Sequence, residues 1–367
     1  MHVFGRMARG GAELRTVEVM RRIGAQVQQE FVALSGQPGD LDEEIVALGG
    51  AVHPCRLDLG FAARFARLVR GRRPDVIHSH VHLTSGLILA LALVLGVRQR
   101  VAHFRSTGDG QNDTRGRRTY RAGARALLDR SATDILGVAE CSLAESWSPR
   151  WADDPRCRVI YNGVDPARFV GSRDPSPIRA ELGLDPRAPL IVQVGRFDPP
   201  KNHAFAAEVL AAVPYAHLVF VGRSGSTEVE TRRRLQASGA SARAHFVGER
   251  VDVARWLTGA DVSILPSVFE GLPGVVLESL AAGTPVVAHG LPGVREIATR
   301  VPGVTTLPNV TDPRAWAAAL QPHLAAPIDA AGRDALRRAL DASPFTLEAA
   351  AAAHLAVWTR GPRRGRG

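Results

Sequence analysis

Lysine is almost missing from this chain: of 46 basic residues among 367, only Lys201 is a lysine and the rest are arginine. Cysteine is nearly as sparse. Cys55, Cys141 and Cys157 lie far apart and form no metal-ligand or redox spacing, which excludes a disulfide scaffold and suits a reducing cytoplasm. Aromatic residues make up 5%, and no basic stretch is interleaved with them, so nucleic-acid recognition is set aside despite a net charge of +10. The longest apolar run, Leu87 to Leu95, is about half of what a spanning helix needs. Met1 runs almost directly into HVF, with no charged-then-apolar leader, so the expectation is a cytoplasmic protein, at most peripheral at the inner face of an acidic membrane. The positive charge points to an anionic partner or to a general preference for arginine. The terminal RGPRRGRG reads as a disordered basic tail.

What the chain does have is length and rhythm. At 367 residues and 45% apolar content it exceeds what one core usually serves, which predicts two domains. The first half predicts strands near His2 to Phe4, Phe31 to Leu34, Ala51 to Cys55, Asp75 to Ser79 and Arg100 to Phe104, with helices between. The second half repeats this near Leu190 to Val194, Leu218 to Val221, His245 to Val247, Val262 to Leu265, Pro285 to Ala288 and Val304 to Leu307. Such alternation predicts an α/β fold of two doubly wound parallel sheets. The Pro-, Asp- and Gly-rich segment from Val164 to Pro189 reads as the connection. Domains are therefore expected over 1–168 and 169–342, followed by a helix near Leu347 to Trp358 and the tail in 343–367.

The segment DVSILPSVFEGLPGVVLESLAAGTPVVAH, from Asp261 to His289, is a buried strand, a Gly-Pro turn and a helix, with Glu270 in the turn and Glu278 in the helix. Pro273 is tolerated at a helix start because its missing N–H is unpaired there anyway, and Gly274 adds no side chain. Free amides and the positive end of the helix dipole suit a phosphate, and Glu278 suits ribose hydroxyls. Read without that context, both glutamates are ordinary solvated carboxylates. The lone lysine lies in LIVQVGRFDPPKNHAF, where a strand ends at Gly195, Arg196 follows and a proline turn leads to a helix. Arginine offers a planar fork to phosphate oxygens, whereas lysine offers a compact point charge.

The FEGLP, VVLE and AAGTPVVA spacing around the Glu-x7-Glu pair resembles the retaining glycosyltransferase family numbered 4, as do the Gly-Arg pair with its following lysine and VIYNGVDPARF. The resemblance implies the GT-B architecture, two Rossmann-like domains facing a central cleft, with a terminal helix that crosses back to the first. It is strongest from Gly195 to Glu296 and looser before Val159. It implies donor diphosphate contacts from Arg196, Lys201 and the segment Gly271, Leu272, Pro273, Gly274 and Val275, in which every residue but the proline offers an amide N–H. Base and ribose would lie near Gly248, Arg250 and Glu278, and Glu270 would hold sugar hydroxyls.

In the first half GRMARGGAELR places Gly10 and Gly11 between a strand and a helix, resembling the family's loop near the donor phosphates. A glycine pair before a helix is common, and the strand before it is unusually short. DVIHSHVHLTSG sets His78, His80 and His82 at alternate positions. Three such residues in a line span about 13 Å, too far for one metal ion. The string is similar to a cleft-bordering segment of exopolysaccharide-type members, which makes His80 and His82 acceptor candidates, against a packing or capping role. AHFRSTGDG supplies His103 for a sugar contact, with Arg105 and Ser106 for acceptor or phosphate. An imidazole that both donates and accepts suits a hydroxyl. The following arginine-rich NDTRGRRTYRAGARALLDR steers an anionic acceptor or is a solvated helix face.

By resemblance, then, His103, Glu270, Arg196 and Lys201 carry a transfer of sugar from a nucleotide-diphosphate donor, with UDP-hexose or UDP-N-acetylhexosamine favoured. The acceptor would be a glycan, a lipid-linked glycan or a small natural product, and the configuration would be retained. No metal and no cofactor are expected, since the resemblance implies a transfer that needs no Asp-x-Asp metal site and the Asp153-Asp154 pair sits in a loop with no supporting pattern. Alternatives from other classes are a sugar-nucleotide epimerase, which would turn over donor without acceptor, and a non-catalytic nucleotide-sugar binder. A pyridoxal-phosphate phosphorylase is disfavoured because the only lysine opens the second domain.

Overall fold

The computed structural model describes residues 1–108, 114–169 and 176–360. Most of the RGPRRGRG tail and the start of the arginine-rich stretch fall outside these. The chain divides into two compact units, Met1–Asn162 with Leu347–Gly367, and Gly163–Thr346. The division thus comes a few residues before the expected 168/169 boundary, and the second unit runs on past 342.

The first unit is built on a sheet of seven strands: β1 (His2–Phe4), β2 (Glu30–Ala33), β3 (Ala51–Pro54), β4 (Val76–Ser79), β5 (Gln99–Phe104), β6 (Asp134–Gly137) and β7 (Cys157–Val159). Their order is β3-β2-β1-β4-β5-β6-β7. The second unit has six strands: β8 (Leu190–Val194), β9 (His217–Val221), β10 (Ala244–Phe246), β11 (Val262–Leu265), β12 (Val286–His289) and β13 (Val304–Leu307), ordered β10-β9-β8-β11-β12-β13. All ladders between these strands are parallel. In each unit the first strand sits between its second and fourth, so the winding reverses beside β1 and again beside β8. Crevices at the carboxyl ends of strands flanking such a reversal are where doubly wound sheets hold ligands.

Eleven strands lie where the sequence places them, to within a residue or two at each end. The other two, β6 and β7, did not stand out. β6 is a fully buried four-residue run, DILG, embedded between helical sequence, and β7 is a half-buried three-residue edge strand, CRV. Runs this short carry no period.

Helices cover both faces of each sheet. Phe61, Phe65, Ile77, Ile88, Leu89, Phe104, Leu128 and Ile135 fill one side of the first, and Phe4, Met7, Met20, Phe31, Leu41 and Ile45 part of the other. The helix Leu347–Trp358 belongs to the first unit. Its Ala350 and Ala351 pack on Val19 and Ile23 of the helix Gly11–Ile23, and Val357 reaches Val101, Leu136 and Ile160. In the second unit Phe205, Leu210, Phe220, Ile264, Trp316 and Leu320 form the main core. Among the described residues no helix is long and apolar enough to cross a membrane.

One buried charge pair fixes the start of the second sheet. Asp261 accepts from Arg179 Nη2 at 2.7 Å and from the Leu190 amide at 2.8 Å, while Arg179 Nη1 donates to the Gly259 carbonyl at 2.7 Å. Both side chains are under a tenth exposed. Removing one partner of such a pair strands the other charge in a dry site, at a cost of about 3–5 kcal/mol. Asp261→Ala is therefore expected to lower stability by that amount in urea titration followed by circular dichroism. A loss under about 1 kcal/mol, typical of an exposed pair, would contradict the assignment.

Candidate functional site

In the second unit the loops that matter leave β8 and β11, the strands at the reversal. After β8 the chain passes Gly195 and Arg196 into the turn Pro199–Lys201. After β11 it forms a loop and then the helix Gly274–Ala281, with Pro273 as its cap. Pro273 therefore stands one place before the first helical residue, not in it. The two loops are tied twice. The Val268 amide donates to the Pro200 carbonyl at 2.9 Å, and Lys201 Nζ donates to Glu270 Oε1 at 2.6 Å. The chain's lone lysine and the first glutamate of the pair are thus partners. The second, Glu278, sits within the helix, whose first amides have no acceptor inside the helix.

Two glycines allow this crowding. A Cβ on Gly293 would lie 1.8 Å from the Gly271 carbonyl oxygen, and one on Gly222 would lie 2.0 Å from that of Gly195. Either would push apart backbone segments that carry site residues. Gly248 turns the chain after β10 with φ 72°, and its carbonyl accepts from the Gly222 amide at 2.8 Å. The cations expected at the diphosphate, Arg196 and Lys201, and Arg250, expected near base and ribose, all have carboxylate partners in this unit. Arg196 pairs with Asp198, and Arg250 holds Asp252 through two bonds of 2.8 and 3.0 Å while lying 5.4 Å over the Trp256 ring. Arg250 is thus built into its own loop, and the bidentate fork is spent on Asp252.

In the first unit Gly10 is the extended residue before the helix Gly11–Ile23. On β4 and β5, and just past the end of β4, lies a buried layer of rings. His78 stacks on His80 with centroids 4.2 Å apart, and His80 stacks on Phe4 at 4.1 Å. His103, 1% exposed, meets His78, with Nδ1 and Nε2 3.1 Å apart. His2 Nδ1 lies 3.1 Å from His80 Nε2 and His2 Nε2 lies 3.2 Å from Gln29 Oε1. Arg105 donates to His80 Nδ1, Asn162 Oδ1 and Thr16 Oγ1 at 3.2, 3.2 and 3.0 Å. All three are uncharged, and desolvation lowers this guanidinium to about 10, partly offset by Glu13. Burial in turn raises the Glu13 carboxyl.

His82 does not join this layer. It leaves the strand direction with φ 51°, and its Nε2 lies 3.0 Å from Ser146 Oγ, which donates to the Ser106 carbonyl. The Ser106 hydroxyl donates to the Gly108 carbonyl at 2.7 Å. Of the acceptor candidates, therefore, His80 meets Arg105 directly, and His82 meets Ser106 through Ser146.

A triad that no sequence spacing announced is His2, His78 and His80, whose ring nitrogens lie within 4.8 Å of one another. His2 comes from β1, which pairs with β4 in the register His2↔His78. As a cation site the set fits poorly, because Trp358 Nε1 donates into His78 Nδ1 at 3.1 Å and the Arg105 guanidinium donates into His80. A cation here would face a neighbouring positive charge and nitrogens already committed to hydrogen bonds. Sequence reasoning also passed over His354, Trp358, Gln29 and Asn162, which reach this layer only through tertiary packing.

The family described as "Glycosyltransferase Family 4" matches residues 9–168, and "Glycosyl transferases group 1" matches residues 188–325. The capsular polysaccharide biosynthesis glycosyltransferase CapH of Staphylococcus aureus is 29% identical over 290 residues, covering 76% of this chain and 78% of CapH. EpsF of Bacillus subtilis, a putative glycosyltransferase by name, is 27% identical over 302 residues, covering 78% of each. Among solved structures, Anabaena HepE in complex with UDP-glucose superposes with a TM-score of 0.78 at 18% identity, over 97% of this chain and 98% of that one.

Two predictions follow from this geometry. Gly293→Val forces the Gly271 segment away, so it is expected to weaken nucleotide-sugar binding in calorimetry by more than it lowers the melting temperature. Equal affinity in wild type and variant would refute the contact. Separately, desolvation, with repulsion from Arg105, holds His2, His78, His80 and His103 well below the ordinary histidine range and lowers His354 to about 4. Their folded values lie below the unfolded one, so protons favour the unfolded chain as pH falls. Stability is expected in full above about 6.5 and to fall toward about pH 4, by up to about 1.4 kcal/mol per pH unit for each ring. A melting temperature that stays flat across that window would contradict it.

Proposed function

The chain belongs to the group 1, family 4 glycosyltransferases of GT-B fold, and on that footing we propose that it moves a hexosyl or N-acetylhexosaminyl group from a UDP-sugar to a glycan or lipid-linked glycan acceptor of an exported polysaccharide. The transfer retains the anomeric configuration and needs no metal. The observation that carries this reading is the 2.6 Å pair between Lys201 and Glu270, set where the loops after β8 and β11 meet beside the start of the helix Gly274–Ala281. The uridine donor is supported by HepE, which was solved with UDP-glucose, and the polysaccharide acceptor by the name of CapH.

In this reading Arg196, Lys201 and the amides of the Gly271–Val275 segment other than Pro273 bind the diphosphate, and Glu278 takes the ribose hydroxyls. When the diphosphate engages Lys201, Glu270 is released to hold hydroxyls of the transferred sugar. In the first unit His103 is the candidate for a sugar hydroxyl, and Arg105, Ser106, His80 and His82 are the candidates for the acceptor. The acceptor oxygen bonds to the anomeric carbon on the face from which the diphosphate leaves. The C–O bond to phosphate breaks, and a departing phosphate oxygen takes the acceptor's proton. Cations and amides held in place before reaction stabilise the charge that grows on the leaving group.

The test is a panel of UDP-, GDP-, ADP- and dTDP-sugars incubated in EDTA with and without undecaprenyl-linked or oligosaccharide acceptors, scoring nucleotide release. UDP release that depends on acceptor and survives EDTA is expected. Lys201→Ala is expected to lower kcat by about 10²–10³, the cost of losing one preorganised donor, and Lys201→Arg to restore little because the fork differs from a point charge. Donor epimerised without acceptor, or no donor bound, would overturn the transferase reading in favour of another chemistry on the same fold.

A further inference from the structure

The ring layer of the first unit has a direction, and that direction is set at one end by the C-terminal helix. An indole N–H only donates, so Trp358 Nε1, 3.1 Å from His78 Nδ1, makes that nitrogen an acceptor. Burial keeps these rings neutral. A neutral ring that accepts at Nδ1 carries its proton on Nε2, so His78 Nε2 donates to His103 Nδ1 at 3.1 Å. His103 is then also an Nε2–H tautomer. The parallel relay obeys the same logic: Arg105 donates to His80, His80 to His2, and His2 to the Gln29 carbonyl oxygen.

The second relay closes on an oxygen and the first does not. His103 Nε2 is buried and, among the described residues, has no hydrogen-bond partner. A buried donor left unmet costs about 1–3 kcal/mol, so its persistence at the end of an ordered relay needs a reason. The ring sits near the carboxyl end of β5, the edge where this fold class places ligands.

We propose that Trp358 and His78 are positioning residues that lock His103 as a fixed Nε2–H donor to a hydroxyl oxygen of the donor sugar. This rests on the transferase reading above and adds to it a tautomer and two residues that act through His103. An imidazole with no such partner exchanges between tautomers, and in one of them turns a lone pair toward the hydroxyl. The relay removes that exchange, so the sugar hydroxyl accepts from His103 and directs its own hydrogen elsewhere.

Long-range proton–nitrogen correlation spectra of the full chain labelled with ¹⁵N-histidine read the tautomer directly, and spectra lacking one signal in His103→Gln assign it. The expected wild-type pattern at His103 is a protonated Nε2 and a bare Nδ1. His78→Leu removes the internal donor and is expected to bring His103 into tautomer exchange, with kcat lower on the order of tenfold and KM for UDP-sugar near the wild-type value. His78→Gln places an amide N–H where Nε2 stood, and is expected to restore the His103 pattern and most of kcat. Trp358→Phe is expected to give an intermediate pattern. Circular dichroism melts show which variants are folded, and the Leu and Gln pair separates lost donation from lost packing. A wild-type His103 protonated at Nδ1, or an unchanged His103 pattern in His78→Leu, overturns the relay. Equal kcat in His78→Leu and wild type overturns its role in transfer even with the spectra as expected. Wild type that transfers no sugar at all overturns the transferase reading itself, and the spectra still report separately on the relay.

Discussion

Parallel strand pairing is the constraint from which the rest of this structure follows. Strands that run the same way cannot be joined by a two-residue hairpin, so each connection must cross the sheet, and the helices that make the crossing cover both faces. All carboxyl ends in a sheet then lie along one edge. A reversal of winding beside β1 and beside β8 opens two neighbouring loops at that edge in each unit. The Gly10–Gly11 loop follows β1 and His80 follows β4, the strands at one reversal, and Lys201 and Glu270 meet at the other. Residues 69 apart in sequence become hydrogen-bonded partners because β8 and β11 are neighbours.

The same constraint explains what could be read from sequence and what could not. A strand buried on both sides shows as a short apolar run, and most of the thirteen do. Glu270, Arg196 and Lys201 were legible as candidates because each lies within a few residues of such a run, in a turn whose glycines and prolines mark it, and Glu278 because it lies in the helix that follows the same turn. The ring layer was not. His78, His80 and His103 were visible as candidates, but His2 joins them through register and His354 and Trp358 through a helix more than 240 residues downstream of His103. Alternation along one strand could be judged for metal spacing, whereas contact across strands depends on topology. Arg250, expected near base and ribose from its place after β10, is paired with Asp252, two residues on, as Arg196 is with Asp198.

The two units handle charge in opposite ways. In the second, Arg196 is held by Asp198, Lys201 by Glu270 and Arg250 by Asp252. Such pairs keep cations oriented, and in the transfer proposed above a diphosphate competes with a single carboxylate for Lys201 because it brings more charge and more oxygens. Among the described residues, replacing lysine by arginine elsewhere leaves Lys201 as the one compact, mobile ammonium available for that exchange. A planar fork at the same place would bind Glu270 through two bonds and release it less readily.

In the first unit the charge is instead isolated. Arg105 rests on a histidine, an asparagine and a threonine, none of them charged, and its field helps hold the neighbouring histidines neutral. Neutrality is what gives the layer its function in ordering protons, because a protonated ring donates from both nitrogens and carries no direction. An imidazolium in place of His78 could not accept from Trp358, and the relay toward His103 would lose its origin. Burial and the nearby guanidinium thus act together: one makes charging costly, the other makes it costlier, and the result is a row of rings in which each proton has one allowed position.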